Sequence, residues 1–236
     1  MLKPRTLAVV AALVLCAFSY GVAVGAYQIF PFFQLSAVKR LVVPAHLTEE
    51  VNRPDRVALF AALGTQADLV LLGDSLTEAG PWGELLGAAR VANRGIGGDT
   101  TADILARLDP ILSGQVGTVL VMAGINDISR GMPVPQVAAR HERIAAQLVA
   151  AGIDVVLQST IQCDPARCGA GMAAKIAALN RVLPDVARKA GAAYLPLEGL
   201  SDPGGLPPGL SHDGVHLNAR GYRLWASRIT AHLTAR

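Results

Sequence analysis

Four short motifs carry residue types suited to acyl chemistry, and they stand far apart in the chain: Gly73-Asp74-Ser75, residues 93–100 (NRGIGGDT), Gly124-Ile125-Asn126-Asp127 and Asp213-Gly214-Val215-His216. A serine hydroxyl is a weak nucleophile at neutral pH and needs an adjacent base. Histidine suits that task, with a reference pKa of about 6.5, provided a carboxylate holds its ring in the right tautomer. Ser75, His216 and Asp213 supply these three roles. The Asp-x-x-His spacing places both partners in one turn, so the carboxylate reaches one ring nitrogen while the other points elsewhere. Gly98 admits close approach of the backbone with no side chain in the way, and Asn126 offers an amide donor. The Ser75 N–H, the Gly98 N–H and the Asn126 side chain would together form a three-donor oxyanion hole. Losing one donor from such a site typically costs about 10²–10³ in rate.

Each of these residues also has an ordinary reading. Ser75 suits a helix N-cap, and Asp213 beside Gly214 suits a turn. The four motifs in one chain favour the chemical reading. His212 is expected at the rim of the site, and His46, His141 and His232 are expected to be structural or solvated. Asp74, Asp99 and Asp127 each adjoin a motif residue and are expected to shape loops rather than to act as a metal or glycosidase carboxylate cluster.

The motifs need a scaffold that brings them together. Residues 67–73, 91–93, 118–123, 153–159 and 192–197 read as short apolar strands of a parallel sheet. Helical patterns fall between them, over 100–112, 134–151 and 172–189, with Asp109-Pro110 and Pro184 as interruptions. Asn218 is a candidate N-cap for a last helix. This alternation predicts an α/β domain, a three-layer α/β/α sandwich with a five-stranded parallel sheet. Ligands in such folds sit at the carboxyl ends of the strands. The first three motifs follow the first three strands, and the fourth lies between the fifth strand and the last helix.

At these residues the chain resembles the SGNH (GDSL-type) serine hydrolases: Ser75 in GDSLTE, Gly98 in NRGIGGDT, Asn126 in GIND and His216 in DGVHLN match the four ordered blocks. The second block is similar to that of the thioesterase/lysophospholipase-like branch. The resemblance spans residues 68 to about 226. It implies the flavodoxin-like SGNH fold, Ser75 as nucleophile, Asp213 and His216 as its triad partners, and Ser75, Gly98 and Asn126 as oxyanion donors. It implies no metal and no organic cofactor. The implied reaction cleaves an ester or thioester through an acyl-enzyme, with a small acyl ester, a lipid or an acylated glycan as substrate. Two other readings are an acyltransferase or deacetylase acting on envelope glycan or lipid, and a catalytically silent envelope-binding module. Loops 129–135, 162–171 and 199–212 are expected to set substrate choice, which fold analogy does not.

Composition and the leader set the compartment. The net charge of +3 is small and its Arg and Lys residues are scattered, which gives nucleic-acid binding no support. Lys3 and Arg5 precede a stretch, residues 6–33, without a charged residue. Its apolar part reaches the roughly 20 residues that a membrane-crossing helix needs. A cleavable signal has a shorter apolar region of about 7–15 residues, which favours an uncleaved anchor, although Ala23-Val24-Gly25-Ala26 offers a cleavage site. The expected organisation is an anchor or signal segment over 1–33, a tether over 34–54 and a hydrolase domain over 55–236. Lys3 and Arg5 place that domain on the extracytoplasmic side, either membrane-anchored or secreted. Cys16 is expected within the apolar segment. Cys163 and Cys168 are open between a disulfide and two free thiols, and two cysteines are too few for a structural zinc site.

Overall fold

The computed structural model describes residues 4–27, 53–87 and 90–235. His46 and most of the expected tether, residues 34–52, lie outside them. The chain divides into two units, Met1–Glu49 and Glu50–Arg236. In the first, Pro4–Tyr27 forms a helix of 24 residues. Several of its side chains, among them Leu13, Val14, Leu15, Phe18 and Val22, are exposed, as is Cys16. Among the described residues no helix is long and apolar enough to cross a membrane. A helix thus stands at the expected anchor or signal segment.

The second unit is built on five parallel strands: β1 (Gln66–Gly73), β2 (Val91–Gly95), β3 (Gln115–Met122), β4 (Asp154–Gln158) and β5 (Ala193–Leu195). Their order is β2-β1-β3-β4-β5, so β1 has β2 on one side and β3 on the other. Leu71 faces Asn93 in β2 and Leu120 in β3. The chain thus leaves β1 in one direction and returns on its other flank, and the crevice at this switch point is where such sheets bind ligands.

Successive strand residues point to opposite faces, and the two apolar sets divide accordingly. Val70, Leu72, Val119, Val121, Val155 and Leu157 pack in one core with Ile144 and Leu148 of helix Val134–Ala150 and with Ile176 and Leu183 of helix Ala170–Ala190. Leu69, Leu71, Leu120, Met122 and Val156 pack in the other with Leu76, Trp82, Tyr222, Trp225 and Ile229. Helix Ala219–Thr234 supplies the last three, and the Asn218 side chain caps it by accepting from the Arg220 and Gly221 N–H groups. The result is the expected three-layer arrangement.

The expected interruption at Asp109-Pro110 is present, and two other expectations need adjusting. Residues 100–112 form two helices, Thr101–Ala106 and Asp109–Leu112, because Pro110 lacks an N–H and suits the first turn of a new helix better than the interior of an old one. Helix Ala170–Ala190 instead runs through Pro184. Its buried stripe, Leu179, Leu183, Val186 and Ala187, holds it against the core. The 162–171 loop is shorter than expected, since Pro165–Cys168 forms a helical turn and the next helix starts at Ala170.

On the second face, each aromatic ring of one cluster is also tied by a hydrogen bond. Trp82 and Trp225 meet edge to face, with centroids 4.7 Å apart. The Trp82 Nε1 donates to Thr77 O (2.7 Å), the Trp225 Nε1 to Gln158 Oε1 (2.7 Å) and the Tyr222 hydroxyl to Leu76 O (2.8 Å). The last helix is thereby fastened to the turn that follows β1. Trp225→Ala empties a fully buried site and strands the Gln158 amide. It should lower the unfolding free energy by about 3–5 kcal/mol, read as a shift in the urea midpoint.

Candidate active site

The turn after β1 begins at Gly73, where a side chain would collide with Thr77 Oγ1 and Met122 O. The next residue, Asp74, is the N-cap of helix Ser75–Glu78, its Oδ1 accepting from the Leu76 N–H (3.0 Å). Ser75 is thus the first residue of this helix rather than its cap. Among the described residues nothing accepts its N–H. From β2, Asn93 Nδ2 donates to Thr77 O, Glu78 O and Gly80 O, and its Oδ1 accepts from the Gly95 N–H. The Gly97 N–H donates to Glu78 Oε2 (2.6 Å), and Arg56 pairs with the same carboxylate. The second motif is therefore laced to the helix that carries Ser75.

Gly98 has φ +73°, a left-handed conformation that side chains rarely adopt. The chain turns there, with the Asp99 N–H donating to Ile96 O, and nothing among the described residues accepts the Gly98 N–H. Asn126 is the second residue of helix Ile125–Ser129 after β3, and its Nδ2 donates to Asp99 O (2.9 Å), which leaves the second Nδ2 hydrogen for another acceptor.

Arg107 and Arg130 also belong to this site, and the sequence reading missed both. The buried Arg107 donates through Nε to Asp99 Oδ2 (2.6 Å) and through Nη2 to Gly73 O and Arg94 O. One guanidinium joins the ends of β1 and β2 to the Gly98 loop. The exposed Arg130 donates to Gly98 O (2.8 Å) at the rim. An isolated arginine inside a helical pattern carries no local signal of such a partner.

The fourth motif folds into a clasp just before the last helix. Ser211 bridges to Leu217, and its Oγ donates to His216 O (2.7 Å) and accepts from the Gly214 N–H (2.8 Å). Asp213 Oδ1 accepts from the N–H groups of Val215 (2.8 Å) and His216 (2.7 Å), while Oδ2 meets His216 Nδ1 at 2.7 Å. The opposite ring nitrogen, Nε2, lies 3.2 Å from Ser75 Oγ. The fold thus brings Ser75, His216 and Asp213 into one hydrogen-bonded line from opposite ends of the domain. Partial burial alone would raise the Asp213 pKa. The bonds from the His216 ring and from the His216 and Val215 N–H groups outweigh it and hold the carboxyl at about 2.

The other expected residues fall around this line. His212 is exposed, with its ring stacked 6.2 Å from that of His216. Among the described residues His212, Asp213 and His216 form the one group close enough to hold a metal ion. Asp213 and His216 Nδ1 are already engaged with each other there. Asp127 accepts from Thr101 N–H, Thr101 Oγ1 and Arg140, and Asp99 pairs with Arg107, so both shape loops. His141 is fully buried, and that burial depresses its pKa to about 4. Asp74 is fully buried too. Burial, with Asp99 and Asp127 nearby, pushes its pKa up to about 7 against the bond from the Leu76 N–H.

The fold thus gathers the expected residues at the carboxyl edge of a parallel sheet. The chain matches the GDSL-like Lipase/Acylhydrolase family over residues 71–224 and belongs to it. It is accordingly an esterase-type acyl hydrolase. No curated protein matches it. Among solved structures, a Streptococcus pneumonia protein is 22% identical with a TM-score of 0.71, over 85% of this chain and 98% of that one. A GDSL-like lipase from Bacteroides thetaiotaomicron is 21% identical (TM-score 0.65; 78% and 98%). The acetylxylan esterase Axe2 from Geobacillus stearothermophilus is 19% identical (TM-score 0.60; 72% and 95%). These likenesses extend to the fold.

The two displaced pKa values oppose each other. The Asp74 contribution is present in full below its unfolded value of about 3.9 and is lost as pH rises through about 7. The His141 contribution is present above its unfolded value of about 6.5 and is lost as pH falls through about 4. Asp74→Asn keeps an acceptor for the Leu76 N–H and removes only the first effect. Its urea midpoint should therefore climb with pH between about 4 and 6.5 more steeply than that of the parent chain. Equal slopes would show that Asp74 ionises in the fold as it does in the unfolded chain.

Proposed function

We propose that this chain hydrolyses an acyl ester by a two-step mechanism centred on Ser75. The observation that carries the reading is the continuous line Ser75 Oγ, His216 Nε2 (3.2 Å), His216 Nδ1, Asp213 Oδ2 (2.7 Å). His216 Nε2 takes the Ser75 proton as Oγ bonds to the ester carbonyl carbon, and Asp213 stabilises the resulting imidazolium. The carbonyl oxygen becomes an oxyanion facing the Ser75 and Gly98 N–H groups and the Asn126 amide. Collapse of this intermediate breaks the C–O bond to the alcohol, which leaves with the proton from His216. The acyl group stays on Ser75. Water then gives a proton to the same nitrogen and attacks the acyl carbon, which frees the carboxylic acid and restores the Ser75 hydroxyl.

The substrate class is an acyl ester of a small molecule, a lipid or an acylated glycan, in keeping with the family. We read residues 55–236 as the hydrolase domain and residues 1–33 as an anchor or signal segment that leaves the domain extracytoplasmic. The support is the absence of charge over residues 6–33, the positive residues Lys3 and Arg5 before it, and the Cys163–Cys168 disulfide, a bond that persists in oxidising compartments. Protease added to sealed right-side-out membrane vesicles should digest the catalytic unit, and a fully protected chain would place it in the cytoplasm.

Full-length protein in detergent should hydrolyse short p-nitrophenyl esters and take up a fluorophosphonate probe. Ser75→Ala should lose both. Labelling that persisted in this variant would overturn the nucleophile assignment. Asn126→Ala should lower kcat by about 10²–10³ with KM little changed, as expected for a donor that acts in the transition state.

A further inference from the structure

The chain from the end of β5 to the last helix contains one short 3-10 turn, Pro208–Leu210, and one isolated bridge. It nevertheless carries Asp213 and His216. A segment with so little regular structure takes its position from what it is fastened to. Several of its fastenings converge on the turn closed by the Cys163–Cys168 disulfide, whose Cα atoms are 6.2 Å apart.

The Asp164 N–H donates to Gly214 O (2.7 Å), and the Leu206 N–H to Cys163 O (3.1 Å). Just before the turn, the Gln162 N–H donates to Leu200 O (2.9 Å). Gly214, at φ +89°, lies directly on the Arg167 side chain, so that a Cβ there would fall 2.9 Å from Arg167 Cβ and 3.2 Å from Asp164 Cβ. Gly205 likewise packs on the Pro165 ring. Cys163 is fully buried in the core, so its end of the turn is fixed.

We propose that the Cys163–Cys168 crosslink is a positioning element for the base. It holds the Asp164–Arg167 turn as the floor on which the Asp213–His216 loop rests, and so keeps His216 Nε2 against Ser75 Oγ. The proposal rests on the functional reading above. Opening the crosslink frees Cys168 and Arg167 to move away from Gly214, and the loop that carries the base loses its floor while the sheet stays intact. Misplacement of a catalytic group by about 1 Å can cost 10²-fold in rate.

The test uses the full-length chain in detergent. Dithiothreitol supplies two electrons and two protons, becoming its own cyclic disulfide as Cys163 and Cys168 become thiols. Iodoacetamide added with denaturant to a portion of the reduced protein should then modify three cysteines instead of Cys16 alone. In the reduced protein kcat on p-nitrophenyl acetate should fall about 10- to 100-fold while KM moves less than about twofold. Three modified cysteines with unchanged kcat would overturn the proposal.

A pair of variants retains the disulfide and decides the matter even if reduction unfolds the protein. Asp164→Pro suits the backbone, with φ −67° there, but removes the N–H that Gly214 O accepts. Asp164→Ala keeps that N–H and loses only the side-chain cap on Ala166. The Pro variant should lose kcat with KM little changed, and the Ala variant should match the parent. Equal kcat in all three overturns the proposal. An oxidised parent chain that never labels with fluorophosphonate would instead refute the functional reading, and this proposal with it.

Discussion

A buried ion pair holds the carboxyl edge of this sheet together. The Arg107 guanidinium lies 2.6 Å from Asp99 and reaches carbonyls at the ends of two neighbouring strands, Gly73 O and Arg94 O, with side-chain exposures of 6% and 0% for the two partners. At such depth either charge alone would be costly, by about 3–5 kcal/mol when one partner is removed. Pair and strand ends are therefore kept or lost together. Ser75 is two residues beyond Gly73, Gly98 directly precedes Asp99, and Asn126 donates to Asp99 O. All three candidate oxyanion donors thus hang from one guanidinium, although none of them touches the substrate through it.

A different kind of constraint acts from the other face. There, helix Ala219–Thr234 is fixed by aromatic packing and by hydrogen bonds from Tyr222 to Leu76 and from Trp225 to Gln158. Since Leu76 adjoins Ser75, the helix that follows the base is anchored beside the nucleophile. The clasp around Ser211 then carries this placement back through Leu217 to His216. Polar bonding on one face and apolar packing on the other meet at Ser75 Oγ.

Three buried aspartates surround that turn, and their environments differ. Asp99 has an arginine, and Asp127 has a threonine and an arginine. Asp74 accepts one backbone N–H through Oδ1, and among the described residues its buried Oδ2 has no hydrogen-bond partner. Burial, with two negative neighbours, pushes its pKa up to about 7. The cap of the nucleophile turn therefore ionises much nearer neutral pH than an ordinary carboxylate.

The alternation of apolar strands with helical stripes determined the sheet and its layers, because side-chain period and burial are local properties of the chain. The four motifs could be read because each combines a rare residue choice with a place at a strand end or before a helix. The Asp213–His216 pairing was legible for the same reason, since three residues of separation confine both to one turn. Tertiary structure alone decided which partners lie beyond reach of the local chain. Arg107 bonding to Gly73, 34 residues away, and Ser75 meeting His216, 141 residues away, depend on strand order. The Asp164 bond to Gly214 depends on where an irregular loop comes to rest, which no periodicity encodes. Whether Cys163 and Cys168 join was open for the same reason: their spacing permits the bond, and only the turn between them brings the sulfurs together.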